Sequence, residues 1–268
     1  MREPSTPDTR VIFTRQRGCQ HERHNHACQE EPLEACMHDD SGMLVLIPAW
    51  NEATRVGAVV EAFRGGLPVL VVDDGSVDGT GEVARKVGAE VIQHETNQGK
   101  GVALATGFRY ALATGYRAVI TLDADGQHDP AEAGKFIEAF ERGEGDLIIG
   151  RRDFRQMPFP RAQANAIGSW MLSRVLHAPI YDNQSGYRLH SRRLLESLDL
   201  RMSGFEFEVD VIVQAVVHGL PIGWVEIRTI YGINKTSYFH PISDSLKFLG
   251  MVWHAYRSYR TLRRQMAG

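Results

Sequence analysis

Short apolar runs alternate with amphipathic stretches from Met43 onward, and this rhythm predicts an α/β protein. The runs are typical of buried strands, whereas the stretches between them repeat apolar residues at the spacing of one helix face. The predicted strands are residues 43–48, 68–72, 91–92, 119–122 and 146–150. The long helix that follows Gly101 should end at Gly115, a residue suited to a helix C-terminus. This alternation indicates right-handed βαβ units, and we therefore expect a mainly parallel sheet flanked by helices.

Acidic residues follow two of these strands, Asp74 after the second and Asp123 and Asp125 after the fourth. In open α/β sheets, ligands bind at the carboxyl ends of the strands. Hard divalent cations prefer oxygen ligands, and Mg²⁺ often takes one or two carboxylates together with phosphate oxygens. Asp123, Asp125 and the nearby Gln127 are therefore candidate ligands for Mg²⁺ or Mn²⁺, although an Asp-x-Asp alone also fits an ordinary acidic loop.

The chain after this acidic pair has the signals of a helix start. Asp129 is a good N-cap, Pro130 suits the first helical position, and Glu132 should complete an Asp-x-x-Glu capping box.

Composition excludes several classes of protein. The 268 residues are 43% hydrophobic and 24% charged, which is ordinary for a globular protein. Thirty basic residues against 33 acidic ones give no general attraction to nucleic acid. The sequence lacks an apolar run long enough to span a membrane and an apolar core near its start, so we expect a cytosolic chain without a signal peptide.

Residues 1–42 form a separate segment in which cysteine and histidine cluster. The cluster comprises Cys19, Cys28, Cys36, His21, His24, His26 and His38. Thiolates and imidazoles are zinc ligands, but this spacing matches no familiar zinc motif and the segment has no apolar periodicity. We therefore predict a disordered leader, with zinc binding and a true start at Met37 or Met43 as the alternatives.

Two nucleotide-binding motifs are excluded around Gly99-Lys-Gly101. A Walker A loop is excluded because His94 replaces its first glycine, and a dinucleotide fingerprint is excluded because Leu104 replaces its third. A glycine-rich helix start with Lys100 can still lie near an anion.

Four motifs in order resemble the nucleotide-sugar glycosyltransferases of family 2, which implies their GT-A fold. They are Ile47-Pro-Ala-Trp-Asn-Glu52, Val72-Asp-Asp-Gly-Ser-Val-Asp-Gly-Thr80, Asn97-Gln-Gly-Lys-Gly101 and Asp123-Ala-Asp-Gly-Gln-His128. Four later motifs resemble the dolichyl-phosphate mannose synthase branch, which loads sugars onto polyprenyl phosphates. They are Gly150-Arg-Arg152, Arg161-Ala-Gln-Ala-Asn165, Asp182-Asn-Gln-Ser-Gly-Tyr-Arg188 and Phe205-Glu-Phe-Glu208. The resemblance covers residues 43–237 and leaves 238–268 as a basic amphipathic C-terminal helix.

The resemblance implies roles residue by residue. A GDP- or UDP-linked sugar would be bound by Pro48, Ala49, Trp50, Glu52, Asp74, Lys100 and Asp123, with Asp74 hydrogen-bonding the base. Asp123, Asp125 and Gln127 would hold the metal against the donor diphosphate. Arg152, Arg161 and Lys235 would bind the acceptor phosphate. This sequence departs from the family pattern at Trp50, which replaces tyrosine or phenylalanine, at Arg151, which replaces a small residue, and at Asn234, which replaces serine.

The identity of the acceptor decides whether the reaction needs a general base. A phosphate monoester is largely a dianion at pH 7, because its second pKa is about 6, and it can attack with little help. A hydroxyl acceptor would require Asp182, Glu206 or Glu208 as the base. The two glutamates alternate with phenylalanines, a pattern that fits either a half-buried strand or a helix start.

Two segments have the pattern of interfacial helices, with aromatic residues on an apolar side and arginines opposite. The first contains Ile167, Trp170, Met171 and Val175. The second, residues 243–266, contains Leu249, Val252, Trp253, Tyr256, Tyr259 and Leu262 together with Lys247, Arg257, Arg260, Arg263 and Arg264. We predict peripheral attachment to the inner face of the cell membrane, and the alternative is that these helices pack on the domain or on a partner.

Two other functional classes remain as alternatives. A haloacid-dehalogenase-like phosphatase also places Asp-x-Asp-Gly after a strand, but its motif is not followed by a helix start such as Gln127-His-Asp-Pro130. A non-catalytic membrane-associated partner of the same fold would have no need to retain the acidic pair and both arginines.

Overall fold

The computed structural model describes residues 42–157, 161–200, 207–228 and 241–267, and of residues 156, 161, 241–249 and 267 it describes the backbone only. The predictions made for residues 1–41, for Glu206 and for Lys235 therefore lie outside the described residues.

Seven strands and eight α-helices make up this part of the chain. The strands are β1 (Met43–Ala49), β2 (Val69–Asp73), β3 (Glu90–Gln93), β4 (Ala118–Thr121), β5 (Leu147–Arg152), β6 (Arg188–Ser191) and β7 (Ile222–Ile227). The helices are α1 (Val56–Glu61), α2 (Thr80–Lys86), α3 (Lys100–Thr114), α4 (Ala133–Glu141), α5 (Arg161–Leu176), α6 (Arg192–Ser197), α7 (Phe207–Val217) and α8 (Pro241–Ala267). The five predicted strands are confirmed, and so is the end of α3, where Gly115 adopts a left-handed φ of 90°.

The strands form one sheet in the order β3-β2-β1-β4-β6-β5-β7. Strand β6 runs antiparallel to both of its neighbours, whereas the other paired strands are parallel. The prediction of a mainly parallel sheet is thus confirmed, although β6 and β7 were not predicted. The reversed strand puts its first residue, Arg188, at the edge where β4 and β5 end.

Apolar layers cover both faces of the sheet. On one face, α3, α5, α6, α7 and α8 supply Phe108, Leu172, Leu194, Ile212 and other buried residues. On the other face, α1, α2 and α4 supply Val59, Ala84, Phe136 and others. Every residue of β1 and β4 is buried, which is why these strands read as continuous apolar runs.

Helix α8 packs on the domain through part of its apolar face. Val252, Ala255 and Tyr259 are buried in the core, while Trp253 is 66% exposed. His254 of α8 also approaches Asp210 of α7 at 2.7 Å. The alternative in which this helix packs on the domain is therefore correct for Val252 and Tyr259, and the remaining aromatic side chains lie at the surface or are half-buried. No helix in the described ranges is long and apolar enough to cross a bilayer.

The start of the helix after β4 differs from the predicted capping box. Asp129 accepts a hydrogen bond from the amide of Ala131, and Pro130 occupies the first position of a short 3₁₀ turn that precedes α4. Glu132 was expected to reach back to the amide of Asp129, and that prediction is wrong. Its carboxylate instead accepts hydrogen bonds from the amide of Arg228 and from Lys135, which ties the end of β7 to α4.

Candidate active site

Two loops at the carboxyl ends of β1 and β2 are joined by hydrogen bonds. The amide of Asn51 donates to Ser76 Oγ at 2.9 Å, and the amide of Glu52 donates to Thr80 Oγ1 at 2.8 Å. In return, Asn51 Oδ1 accepts from the amide of Val77 at 3.1 Å. Asn51 has a left-handed φ of 54°, which asparagine tolerates better than most residues. Together these bonds hold the loop after β1 against the loop after β2.

Asp74 is engaged by the protein on both carboxylate oxygens. Oδ1 lies 2.7 Å from His94 Nδ1 and accepts from the amide of Gln98 at 3.0 Å, while Oδ2 accepts from the amide of Gly99 at 2.7 Å. His94 Nε2 lies 3.1 Å from Thr106 Oγ1 on α3. Asp74 thus fixes the turn from which α3 starts, and its expected bond to a nucleobase remains a prediction.

Lys100, the first residue of α3, bridges two carboxylates across the site. Its Nζ lies 2.6 Å from Asp123 Oδ1 and 3.3 Å from Glu208 Oε1. Burial opposes the charge of Lys100, but Glu208 and Asp123 outweigh it and raise the pKa of the ammonium above its usual value. Burial likewise opposes ionisation of Asp123, yet Lys100 and His128 hold the pKa of its carboxyl well below the usual range. Asp123 is therefore an ionised group that already attracts a cation.

A cavity of about 340 Å³ opens at these strand ends. It is lined by Pro48, Ala49, Trp50, Glu52, Asp74, Asn97, Lys100, Ala103, Asp123, Ala124 and Asp125. All seven residues that the resemblance assigns to the nucleotide sugar are in this lining, whereas Gln127 is not. The volume falls within the usual range for a small-ligand site.

The acidic end of the cavity has the donor chemistry of a magnesium or manganese site. Asp123 and Asp125 contribute hard oxygen atoms, and Asp125 Oδ1 accepts from the amide of Gln127 at 2.9 Å. Among the described residues, no group of three or more His, Cys, Asp or Glu side chains is arranged for a metal. The residues present therefore fit an ion that keeps further ligands from phosphate or water, as Mg²⁺ does.

Gly186 packs directly against Asp123, and sequence reasoning gave it no role. A Cβ atom at Gly186 would lie 2.6 Å from Asp123 Oδ2, and the carbonyl of Gly186 accepts a hydrogen bond from Thr121 Oγ1 at 3.0 Å. Only the resemblance motif, which includes this glycine, could have signalled the contact. The Asp123 carboxylate can occupy its position only because residue 186 has no side chain.

Arg152 and Asp182, which were assigned separate roles, are paired with each other. The guanidinium donates through Nε and one terminal nitrogen to the two carboxylate oxygens at 2.7 and 2.9 Å, and both side chains are buried. The amide of Gln184 also donates to Asp182. A buried carboxylate held by a bidentate guanidinium is poorly placed to accept a proton from an acceptor, so this geometry argues against Asp182 as the base. The pairing with Asp182 also uses the Nε edge of the Arg152 guanidinium, which was expected to bind phosphate. Arg152 is the last residue of β5, whereas the predicted strand ended at residue 150.

Arg188 fastens the loop before β6 to α7. Its three guanidinium nitrogens donate to the carbonyls of Ser185, Asn183 and Glu208, and burial lowers the pKa of this arginine. Glu208 is therefore fixed near the start of α7, so the strand alternative for this glutamate is wrong. Arg161 is the first residue of α5.

The seven-stranded sheet flanked by helices is the GT-A transferase fold, which this chain shares with solved glycosyltransferases. The chain belongs to glycosyl transferase family 2, whose profile matches residues 44–198, and it is a glycosyltransferase.

Within this family, the chain is similar to enzymes that have been named. The chain is 32% identical to the polyprenol monophosphomannose synthase of Mycolicibacterium smegmatis over 72% of this chain and 80% of that protein. It is also 32% identical to the undecaprenyl-phosphate mannosyltransferase of Micrococcus luteus, over 69% of this chain and 84% of the relative. Glucosyl-3-phosphoglycerate synthase from Mycobacterium tuberculosis, solved with Mn²⁺, UDP and glucosyl-3-phosphoglycerate, shares the fold with a TM-score of 0.61 and 22% identity, covering 82% of this chain and 79% of that one.

Proposed function

We propose that this protein transfers a sugar from a GDP- or UDP-linked donor to a polyprenyl phosphate at a membrane surface, with the help of Mg²⁺ or Mn²⁺. The observation that supports it most directly is the cavity in which the nucleotide-binding motifs meet Asp123 and Asp125. The similarity to a polyprenol monophosphomannose synthase and to an undecaprenyl-phosphate mannosyltransferase supports the acceptor class.

On the donor side, each lining residue has a task. Pro48, Trp50 and Glu52 would surround the nucleobase. Asp123 and Asp125 would hold the divalent ion, which stabilises the negative charge that develops on the leaving diphosphate. Lys100, which is ion-paired with Asp123, is within reach to neutralise the same charge.

On the acceptor side, the two candidate bases that the structure describes, Asp182 and Glu208, are both ion-paired, and this favours a phosphate over a hydroxyl. Asp182 is bound by Arg152, and Glu208 is ion-paired with Lys100. A phosphate monoester is mostly a dianion at pH 7 and needs neither carboxylate as a base. This chemistry agrees with the acceptors named in the two relatives.

Attachment to the membrane would use the exposed apolar side chains of α5 and α8. Ile167, Trp170 and Trp253 are 57%, 60% and 66% exposed. The exposed arginines of α8 are Arg257, Arg260, Arg263 and Arg264. Each basic residue near an anionic surface contributes about 1 kcal/mol, and salt weakens this attraction.

The test is a transfer assay with a panel of nucleotide sugars, Mg²⁺ or Mn²⁺, and either a polyprenyl phosphate or a soluble hydroxyl acceptor. We expect product only with the phosphate acceptor, and we expect Asp123→Ala to lower turnover by roughly 10²-fold or more. Full activity of the wild type in excess EDTA would refute the requirement for a divalent metal. Transfer to the hydroxyl acceptor alone would refute the proposal that the acceptor is a polyprenyl phosphate.

Binding to liposomes tests the proposed membrane attachment separately from sugar transfer. Neutralising the four arginines of α8 should weaken salt-sensitive binding to anionic vesicles, while transfer to a short, water-soluble prenyl phosphate should change little. If the wild-type protein does not bind to such vesicles, the prediction of peripheral attachment is contradicted.

A further inference from the structure

The strand register brings Arg151 to the level of Asp123. Thr121 of β4 is paired with Arg188 of β6, which is paired in turn with Ile149 of β5. Asp123 and Arg151 are each two residues beyond this row. Since neighbouring strands lie about 4.8 Å apart, Thr121 and Ile149 are about 10 Å apart on either side of β6, and Asp123 and Arg151 follow them at the same edge of the sheet.

Arg151 also lies on the face of the sheet from which Asp123 is approached. Side chains alternate along a strand, so Arg151 shares the face of Leu147 and Ile149, whereas Arg152 belongs to the opposite one. Leu147 and Ile149 pack in the same core layer as α3 and α7. Those two helices provide Lys100, which is ion-paired with Asp123, and Glu208, which is ion-paired with Lys100.

The guanidinium of Arg151 is held by an aromatic pair rather than by an acid. Its carbon lies 4.8 Å from the centroid of the Tyr181 ring, and Tyr181 meets Trp224 edge to face at 5.1 Å. Within the described part of the chain, no ion pair joins Arg151 to a carboxylate, including Glu226, its register partner on β7. An aromatic ring attracts the cation without taking the in-plane N–H bonds that a carboxylate would take, so these N–H groups can still bind an anion in a bidentate way.

Arg151 and Arg152 therefore differ in what they can bind. Arg152 already donates to both oxygens of Asp182. Arg151 is exposed, oriented by Tyr181, and separated from the metal-binding end of the site by a span that leaves room for a sugar ring.

Resting on the proposed function, we propose that Arg151, braced by Tyr181, binds the phosphate of the acceptor and sets the specificity for phosphate acceptors. The arginine that follows it fastens the loop before β6. Because charge-assisted bonds to phosphate are strong, loss of the guanidinium should raise the KM for the acceptor by about 10- to 100-fold and leave the KM for the donor within about twofold.

The experiment compares Arg151→Gln with Arg155→Gln, which removes the same charge from an exposed arginine that is paired with Asp153. Both are assayed with a short, water-soluble prenyl phosphate, and binding of that compound is also measured by calorimetry. Arg151→Gln should lose acceptor affinity, Arg151→Lys should retain part of it, and Arg155→Gln should match the wild type. Tyr181→Phe should preserve affinity because the ring remains, whereas Tyr181→Leu should weaken it.

Each outcome separates this inference from the function on which it rests. If the wild type transfers sugar to prenyl phosphates and Arg151→Gln has the acceptor KM of Arg155→Gln, the role of Arg151 is refuted and the proposed function stands. Equal weakening by both variants would indicate a general charge effect and would also refute it. If the wild type neither binds nor glycosylates any phosphate acceptor, both proposals fail.

Discussion

Replacing Gly186 with alanine tests whether the position of the Asp123 carboxylate controls catalysis. The added Cβ would meet Oδ2 at 2.6 Å and the other two carboxyl atoms at 3.0 Å, while ordinary contacts begin at 3.4 Å. The carboxylate must therefore move by about 0.8 Å to reach an ordinary contact distance. The backbone at Gly186 does not have a left-handed φ, so it can accept alanine without strain of its own. Misplacement of this size can lower a rate by up to about 10²-fold, so we expect kcat to fall between 10- and 100-fold. This is about 1.4–2.7 kcal/mol of lost transition-state stabilisation.

The assay measures kcat and KM for the donor together with thermal unfolding. Gly134→Ala on α4 is the matched control, because a Cβ there has no atom within 4 Å. Gly186→Ala should unfold within a few degrees of the wild type and lose turnover, whereas the control should keep its turnover and unfold at or slightly above the wild-type temperature. Undiminished turnover in a folded Gly186→Ala enzyme would show that the placement of Asp123 does not limit the reaction.

Three further predictions concern stability. Removing one partner of the buried Arg152–Asp182 pair, as in Asp182→Ala, should cost about 3–5 kcal/mol in denaturant unfolding, and the double variant with Arg152→Met should cost less than the sum of the single ones. Equal and additive losses would contradict the pairing. Burial and nearby Arg188 lower the pKa of His190 to about 3 from 6.5, so below pH 6.5 the unfolded chain binds a proton that the folded chain does not. Unfolding free energy should then fall by about 2 kcal/mol as the pH drops from 7 to 5, and His190→Leu should flatten this dependence; an unchanged slope would contradict the assignment. Gly107→Ala should destabilise by about 1–3 kcal/mol because its Cβ would lie 2.3 Å from a buried leucine of β1, whereas Gly134→Ala should gain up to about 1 kcal/mol; equal melting temperatures would refute this packing argument.

The sequence predicted the first five strands because each contains an apolar run, which is buried in β1, β2, β4 and β5 and half-buried in β3. It did not predict β6, whose residues include Arg188 and His190. Both are fully enclosed, but the arginine is accommodated by three backbone carbonyls rather than by apolar neighbours, so no hydrophobic pattern marks the strand. Strand β7 was missed because Gly223 breaks its pattern at a close approach to the carbonyl of Glu144.

For the site, strand ends and motifs were enough to bring Asp74, Lys100 and Asp123 to one cavity. The pairing of Arg152 with Asp182 was beyond sequence reasoning, because it depends on how the loop before β6 crosses the end of β5. Each residue taken alone fitted a catalytic role, and only the three-dimensional contact showed that one neutralises the other.

The reversed strand β6 also has a consequence for synthesis of the protein. Strand β4 is complete at Thr121, but the strand that covers its outer edge begins only at Arg188. About 70 residues must be added in between, which takes roughly 3–14 s at ribosomal rates of 5–20 residues per second. Throughout that interval the edge of β4, in which three of the four residues are apolar, has no permanent partner on this side, and such an edge readily pairs with other chains. Nascent chains halted between these two strands should therefore be the most aggregation-prone intermediates and the ones that depend most on chaperones.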